Sequence, residues 1–310
     1  MTPPRWTVLS GTLFGLMVFA WAGNYLFVRV GEAYVAPLWL ATLRASVGAA
    51  GIGAFLALRR HEGSFSWADR RDAMLLGLPN TALFLGLWFV AATAIPPGQT
   101  AVIVYTFPLW VALVSPLILG GRPGALQWIT LAVGFGGVIL VSQPWASGTA
   151  RPPTWAIAEL LLAAVSWAAA TVAFQRRFPP SSLSRANGYQ LLGGAAALAL
   201  VTLCLRPGVT DASSPTLWIS VAWLGLFGTA FAYGVWFYLM EKVHASVLST
   251  YSFLVPLTAL ALSVVFEAER LTAPQVLGVA LVLCGIYLVG RTHVPHPYEN
   301  GGPVAPRQTG

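Results

Sequence analysis

Charge is what this chain has least of. Only 9% of its 310 residues are Asp, Glu, Lys or Arg, where a globular domain carries about 25%. So thin a supply cannot cover the surface of a soluble protein of 32.9 kDa, which leaves no room for a sizeable soluble domain. Acids are scarcer than bases, 10 against 17. In a chain this apolar the excess is read as a topology signal rather than a nucleic-acid footprint, and no nucleic acid is expected as a partner. Cysteine is nearly missing. Cys204 and Cys284 both lie in apolar runs and are expected as small buried hydrophobes; two such thiols make neither a disulfide framework nor a metal site. His61, His244, His293 and His296 all fall in loops or the tail. There is no HExxH, no paired-aspartate phosphate motif and no GxSxG. A membrane enzyme needs a catalytic cluster inside its apolar segments, so an enzyme, a metal and a cofactor are not expected. A ring of like residues of the kind that selects ions in a channel is also missing.

What is present is apolar surface: 57% hydrophobic residues and a mean hydropathy of +0.72. A transmembrane helix needs about 20 such residues. Ten segments qualify, at residues 9–29, 36–58, 73–93, 98–119, 125–142, 155–175, 186–205, 216–240, 246–266 and 272–290. The fold class expected is an all-α membrane protein with ten transmembrane helices. Turn-forming residues break the runs where they should, at Pro96-Pro97-Gly98, at 120–124 and at Pro179-Pro180. The first segment is too long and too close to the start to read as a cleaved signal peptide. The Pro- and Gly-rich stretch 292–310 is expected to be a disordered cytoplasmic tail.

Basic residues set the orientation. With the N-terminus in the cytoplasm, 12 Arg and Lys residues fall inside, among them Arg59, Arg60, Arg70, Arg71, Arg176 and Arg177. Arg29, Arg151, Arg206 and Arg270 fall outside, and Arg44 sits within a span. Cytoplasmic loops hold the excess of Lys and Arg, so both termini are expected in the cytoplasm.

The chain repeats itself. Residues 77–141 align without a gap on 225–289, 17 of the 65 positions being identical. Matched Trp88/Trp236, Pro108/Pro256, Arg122/Arg270 and Gln127/Gln275 are harder to obtain by chance than matched apolar residues. The front of each half aligns at an offset of 146, placing Trp21-Ala22 on Trp167-Ala168 and Gly48-Ala49-Ala50 on Gly194-Ala195-Ala196. Each repeat then holds five spans, 5–142 and 154–291. Five is odd, so the second repeat enters the membrane the other way up. Such inverted-topology repeats recur in secondary transporters, with the binding site near the midplane between the halves.

The motifs resemble a known family. Trp21-Ala22-Gly23-Asn24-Tyr25 followed by Arg29 is similar to the first-helix pattern WG-x-N-F…K of the EamA family, in the drug/metabolite transporter superfamily. Pro37 with Arg44, Ser166-Trp167-Ala168-Ala169 with Arg176-Arg177, Gln190, Pro108 and Pro256 resemble its second, sixth, seventh, fourth and ninth helices. Ala22 stands where Gly is usual, and is still small enough for close helix packing. The resemblance spans residues 5–291. It implies a five-plus-five inverted repeat in the bacterial inner membrane and export of amino acids, their derivatives or other small metabolites.

Arg44 is the sharpest candidate. It lies roughly 4–5 Å from the middle of its span at the helical rise, where a charge costs at least about 2.5–3.5 kcal/mol and faces a cavity or a partner. Two roles are open: a structural arginine bonded to carbonyls or Asn24, or a fork for a substrate carboxylate. Its repeat mate is Gln190, so a cavity between the halves has one positive pole. Trp21 and Trp167 are mates near mid-depth, either packing or cavity wall. Asn24, Asn80, Tyr105, Gln190, Tyr233 and Tyr251 are further candidates for substrate contact, as polar groups on an apolar wall. Glu159 is either a wet interfacial acid or a protonatable coupling site, the coupling ion then being a proton. Pro108 and Pro256 are structural kinks or gating hinges. The expected function is a secondary transporter that exports amino acids or related carboxylates by alternating access. The alternatives are an importer or exchanger of another small solute, such as a nucleotide-sugar or drug-like compound, and a channel.

Overall fold

The computed structural model describes residues 8–58, 65–119, 124–142, 152–179, 182–240, 254–268 and 270–289. These residues are helical, and their β contact is an isolated bridge between Val35 and Val209. The helices are α1 (Val8–Gly31), α2 (Pro37–Leu58), α3 (Trp67–Ala92), α4 (Pro97–Ile118), α5 (Ala125–Ser142), α6 (Thr154–Arg177), α7 (Leu183–Leu205), α8 (Pro215–Leu239), α9 (Leu254–Phe266) and α10 (Ala273–Val289). Seven of them, α1–α4 and α6–α8, are long and apolar enough to cross a membrane, with mean hydropathy of 1.4–2.0. The apolar stretches of α5, α9 and α10 are shorter. The expected tail and Tyr251 lie outside the described residues.

Local chemistry explains the helix ends. Pro37, Pro97 and Pro215 open α2, α4 and α8, where a missing N–H costs nothing because the first turn has no carbonyl partner for it. Ser66 and Asp69 form a capping box at the start of α3: Asp69 N donates to Ser66 Oγ at 3.1 Å, and Ser66 N to Asp69 Oδ2 at 3.0 Å. α7 ends on Arg206 in the left-handed region at φ 47°. Its N–H closes on Thr202 O at 2.8 Å, and Pro207 cannot continue the helix.

Large apolar side chains such as Leu58, Val265 and Phe266 face outward, as lipid-contacting helices allow. Cys204 and Cys284, expected inside, are exposed instead. In a bilayer the outer surface is itself apolar, so a small hydrophobe gains nothing by turning inward.

Packing joins distant halves of the chain. α2 lies against α7 and α8, α3 against α6 and α7, α1 against α8 and α9, and α5 against α10. Glycines set the closest approaches. A Cβ on Gly48 would overlap the Thr229 side chain, and one on Gly194 would overlap Thr81. Gly137 and Gly278 face each other, a Cβ on either meeting the other's carbonyl oxygen at 2.6 Å. Small residues at such crossings let backbones approach, which is how helices associate where lipid supplies no hydrophobic drive.

Two spans carry an internal irregularity at related places. α3 widens to a π-helix at Leu78–Leu83 and α8 at Trp223–Phe231. At the 148-residue offset Thr81 corresponds to Thr229, so both widened turns contain the threonine met by a glycine of the facing helix. A π-turn re-aims side chains within a helix and is frequent at functional sites. α4 is broken at Tyr105–Thr106, after a first helical piece Pro97–Val104 and before a second that starts at Phe107.

Candidate functional site

A small buried cavity lies between the helices. It is lined by Trp21, Asn24 and Tyr25 of α1, Arg44 of α2, Phe84 and Trp88 of α3, Val104 and Tyr105 of α4, Trp167 of α6 and Tyr233 of α8. Both halves of the chain contribute. The walls stand close, leaving space for about one water, so the cavity must widen to take a metabolite.

Arg44 is buried, with 2% of its surface exposed. Nε donates to Thr229 Oγ1 at 3.1 Å. Asn24, with its amide oriented so that the oxygen faces the arginine, accepts from Nη2 at 3.2 Å and donates to Ala20 O at 3.2 Å. A Cβ at Gly228 would overlap the Asn24 amide, so the glycine makes room for that pair. The guanidinium carbon lies 4.8 Å from the centre of the Trp88 ring and 5.7 Å from that of Phe89, within cation–π range. Nη1 is buried and has no protein partner.

Apart from Val104, the rest of the wall is aromatic. Trp21 meets Trp167 edge-on at 6.5 Å and Tyr233 at 5.8 Å. Trp167 stacks on Phe84 at 5.0 Å and on Phe107 at 3.8 Å. The two tryptophans therefore both pack on each other and line the cavity. Tyr25, Tyr105 and Tyr233 line the cavity together with Arg44.

Six of the residues singled out from the sequence thus line one cavity: Arg44, Asn24, Trp21, Tyr105, Trp167 and Tyr233. Gln190 and Asn80 do not. Gln190 Oε1 accepts from Asn80 Nδ2 at 2.9 Å and from Thr81 Oγ1 at 3.0 Å, and Nε2 donates to Asn187 Oδ1 at 2.9 Å. The amide is satisfied within the protein and serves to join α3 to α7. Glu159 stands away from the cavity, with Oε2 buried and unpartnered. Pro108 falls in the first turn after the break in α4, and Pro256 is buried near the start of α9. Sequence reasoning missed Tyr25, Phe84, Trp88 and Val104. Trp88 carried a usable signal, since a mid-span tryptophan is out of place for an interfacial residue by the same logic that singled out Trp21.

The model of the EamA-like transporter family matches residues 9–143 and again 154–291. This chain belongs to that family. EamA-like relatives span nearly the whole molecule. The uncharacterized inner membrane transporter YedA of Escherichia coli (strain K12) is 27% identical over 282 residues, covering 91% of this chain and 90% of the relative. The uncharacterized transporter YoaV of Bacillus subtilis (strain 168) is 25% identical over 270 residues, covering 86% and 92%. One solved crystal structure superposes with a TM-score of 0.62 at 22% identity, over 90% of this chain and 96% of the other; it shares the fold. The protein is a multi-pass membrane transporter, and its partners are a small solute and the lipid bilayer.

Proposed function

We propose that this EamA-family protein is a secondary transporter that exports amino acids or related carboxylates across the bacterial inner membrane. The carrying observation is Arg44 Nη1, a buried cationic donor without a protein partner at a cavity lined from both halves. A carboxylate oxygen is the partner such a group lacks. On this reading the chain has ten spans in two inverted five-helix repeats, 5–142 and 154–291, with both termini in the cytoplasm and the cavity between the repeats. The two family matches, the paired π-turns of α3 and α8 and the paired contacts Gly48–Thr229 and Gly194–Thr81 support that reading. Alternating access then rocks one half against the other, opening the contracted cavity first to the cytoplasm and then outward. Glu159 is a candidate for proton coupling, its unpartnered oxygen being the observation that favours it.

The test is counterflow. Purified protein in liposomes loaded with an unlabelled amino acid or carboxylate should accumulate the labelled solute transiently and saturably. Linear, non-saturable flux, or none above protein-free liposomes for any carboxylate tried, overturns the carrier reading. Reporter fusions after Arg71 and after Arg291 should both register cytoplasm; a periplasmic signal from either removes the inverted topology.

A further inference from the structure

Two adjacent arginines end α6, and each reaches a different helix of the first half. Arg177 forks onto the start of α3: Nη2 donates to Asp69 Oδ1 at 2.7 Å and Nε to Asp72 Oδ2 at 2.8 Å. Arg176 Nη1 donates to Ile118 O in the last turn of α4, where carbonyls have no partner within the helix. The two acids are held ready for Arg177. Asp69 Oδ2 accepts from Ser66 N at 3.0 Å and Ser66 Oγ at 2.7 Å, and Asp72 Oδ1 accepts from Arg71 Nη2 at 2.9 Å. Each carboxylate thus presents its other oxygen across the gap between the halves.

The helices joined here are walls of the cavity. α3 contributes Phe84 and Trp88, α4 Val104 and Tyr105, and α6 Trp167. α3 and α6 run antiparallel along one seam. Phe84 stacks on Trp167 at 5.0 Å, Ser166 Oγ donates to Pro79 O at 2.7 Å, and Arg177 closes the far end on Asp69 and Asp72. From Trp167 to Arg177 the seam runs about 15 Å at the helical rise.

The repeat supplies no second copy of these contacts. Continued along the chain, the 148- and 146-residue offsets pair Asp69, Asp72, Arg176 and Arg177 with Leu217, Ser220, Val30 and Gly31, all uncharged. The side chains of Arg177, Asp69 and Asp72 are 40%, 25% and 26% exposed. Part-exposed ion pairs are weak enough to break and re-form.

We propose that Arg176 and Arg177 form a latch that shuts the cavity toward the end where α3 starts, and that releases when α6 parts from α3 and α4. This rests on the alternating-access reading, and adds which contacts bar the cavity on that side.

The test uses the full-length protein with Cys204→Ser and Cys284→Ser, since both native thiols are exposed, and with Val104→Cys as a reporter in the cavity wall. A membrane-impermeant maleimide is added to inside-out vesicles, which present the face read as cytoplasmic, and to spheroplasts, which present the other. Arg177→Gln should raise the labelling rate in inside-out vesicles at least about threefold and leave it unchanged in spheroplasts. Asp72→Asn, which removes one of the two acids, should raise it less. Unchanged labelling, or an equal rise in both preparations, overturns the latch. A rise in spheroplasts alone retains the latch and reverses the orientation.

A second arm holds the latch shut. Asp72→Cys with Arg177→Cys, in the same background without the reporter, is joined by a short disulfide-forming linker. Counterflow in liposomes should fall at least about tenfold and return on reduction. Complete crosslinking without loss of counterflow overturns the inference, even where Arg177→Gln does not fold. The two readings fail separately. The one-sided labelling gain without counterflow of any solute before crosslinking retains the latch and removes the carrier. Counterflow with unchanged labelling retains the carrier and removes the latch.

Discussion

Arg44 gives its Nε–H to Thr229 Oγ1 at 3.1 Å, across 185 positions of sequence. The repeat mates of these two residues, Gln190 and Thr81, also meet: Thr81 Oγ1 donates to Gln190 Oε1 at 3.0 Å. One contact ends in a cation with a free N–H at the cavity, the other in a neutral amide whose oxygen is filled by Asn80 and Thr81. A single difference between related positions thus gives the molecule one polar end to its cavity. Thr229 can serve because its own hydroxyl hydrogen is directed to Leu224 O at 2.8 Å within the π-turn, which leaves the oxygen to accept.

That asymmetry makes Arg44 the first target. Losing a charge-assisted hydrogen bond costs about 1.5–3 kcal/mol, or about ten- to a hundredfold in affinity. Arg44→Gln, copying the other repeat, should remove most uptake of carboxylates into inside-out proteoliposomes while lowering the melting temperature much less. Arg44→Lys should restore part of it, since an ammonium cannot reach Thr229, Asn24 and a ligand from one plane. Wild-type transport by Arg44→Gln would make the arginine structural.

The glycine crossings predict a sharp size dependence. Gly194→Ala places a Cβ on the Thr81 side chain and 2.7 Å from Gly77 O. Backbone cannot yield as a side chain does, so the loss should be about 1–3 kcal/mol, read as a lower melting temperature in detergent. Gly15→Ala and Gly234→Ala, with no atom within 4 Å of the added carbon, should melt like the wild type. Equal melting of all three variants would mean that the α3–α7 crossing is not close-packed.

The break in α4 at Tyr105–Thr106 ends two residues before Pro108, and Tyr105 lines the cavity. Were Pro108, at this break, and Pro256, near the start of α9, hinges, Pro108→Ala and Pro256→Ala should slow transport several-fold while leaving substrate affinity within about twofold, because a hinge governs interconversion of states. Unchanged turnover in both variants would assign the prolines a purely structural role.

Glu32 follows α1, with both carboxylate oxygens buried and unpartnered. Burial pushes its pKa up to about 8, against an opposing pull from Arg29. A carboxyl whose folded pKa is raised holds its proton longer in the folded state than in the unfolded one. Stability is therefore lost as pH rises from the ordinary carboxylate range through about 8, and levels off above. The loss should be of the order of a few kcal/mol. Melting temperature should fall between pH 5 and pH 8 in the wild type and fall less in Glu32→Gln. Parallel slopes would show that Glu32 is solvated.

Composition, hydropathy and repetition were legible without a structure because they are local or additive. Nine per cent charge forces a bilayer, proline-marked ends divide the spans, and Arg44 stands out as a charge where none is cheap. What the chain alone could not reveal is the rotation of each helix about its own axis. A span apolar on every side carries no stripe to say which face turns inward. Close crossings such as Gly48 on Thr229 and Gly194 on Thr81 set those rotations. They turn Gln190 into a closed amide network, bring Trp88 and Phe84 to the cavity wall beside Arg44, and leave one guanidinium nitrogen without a protein partner.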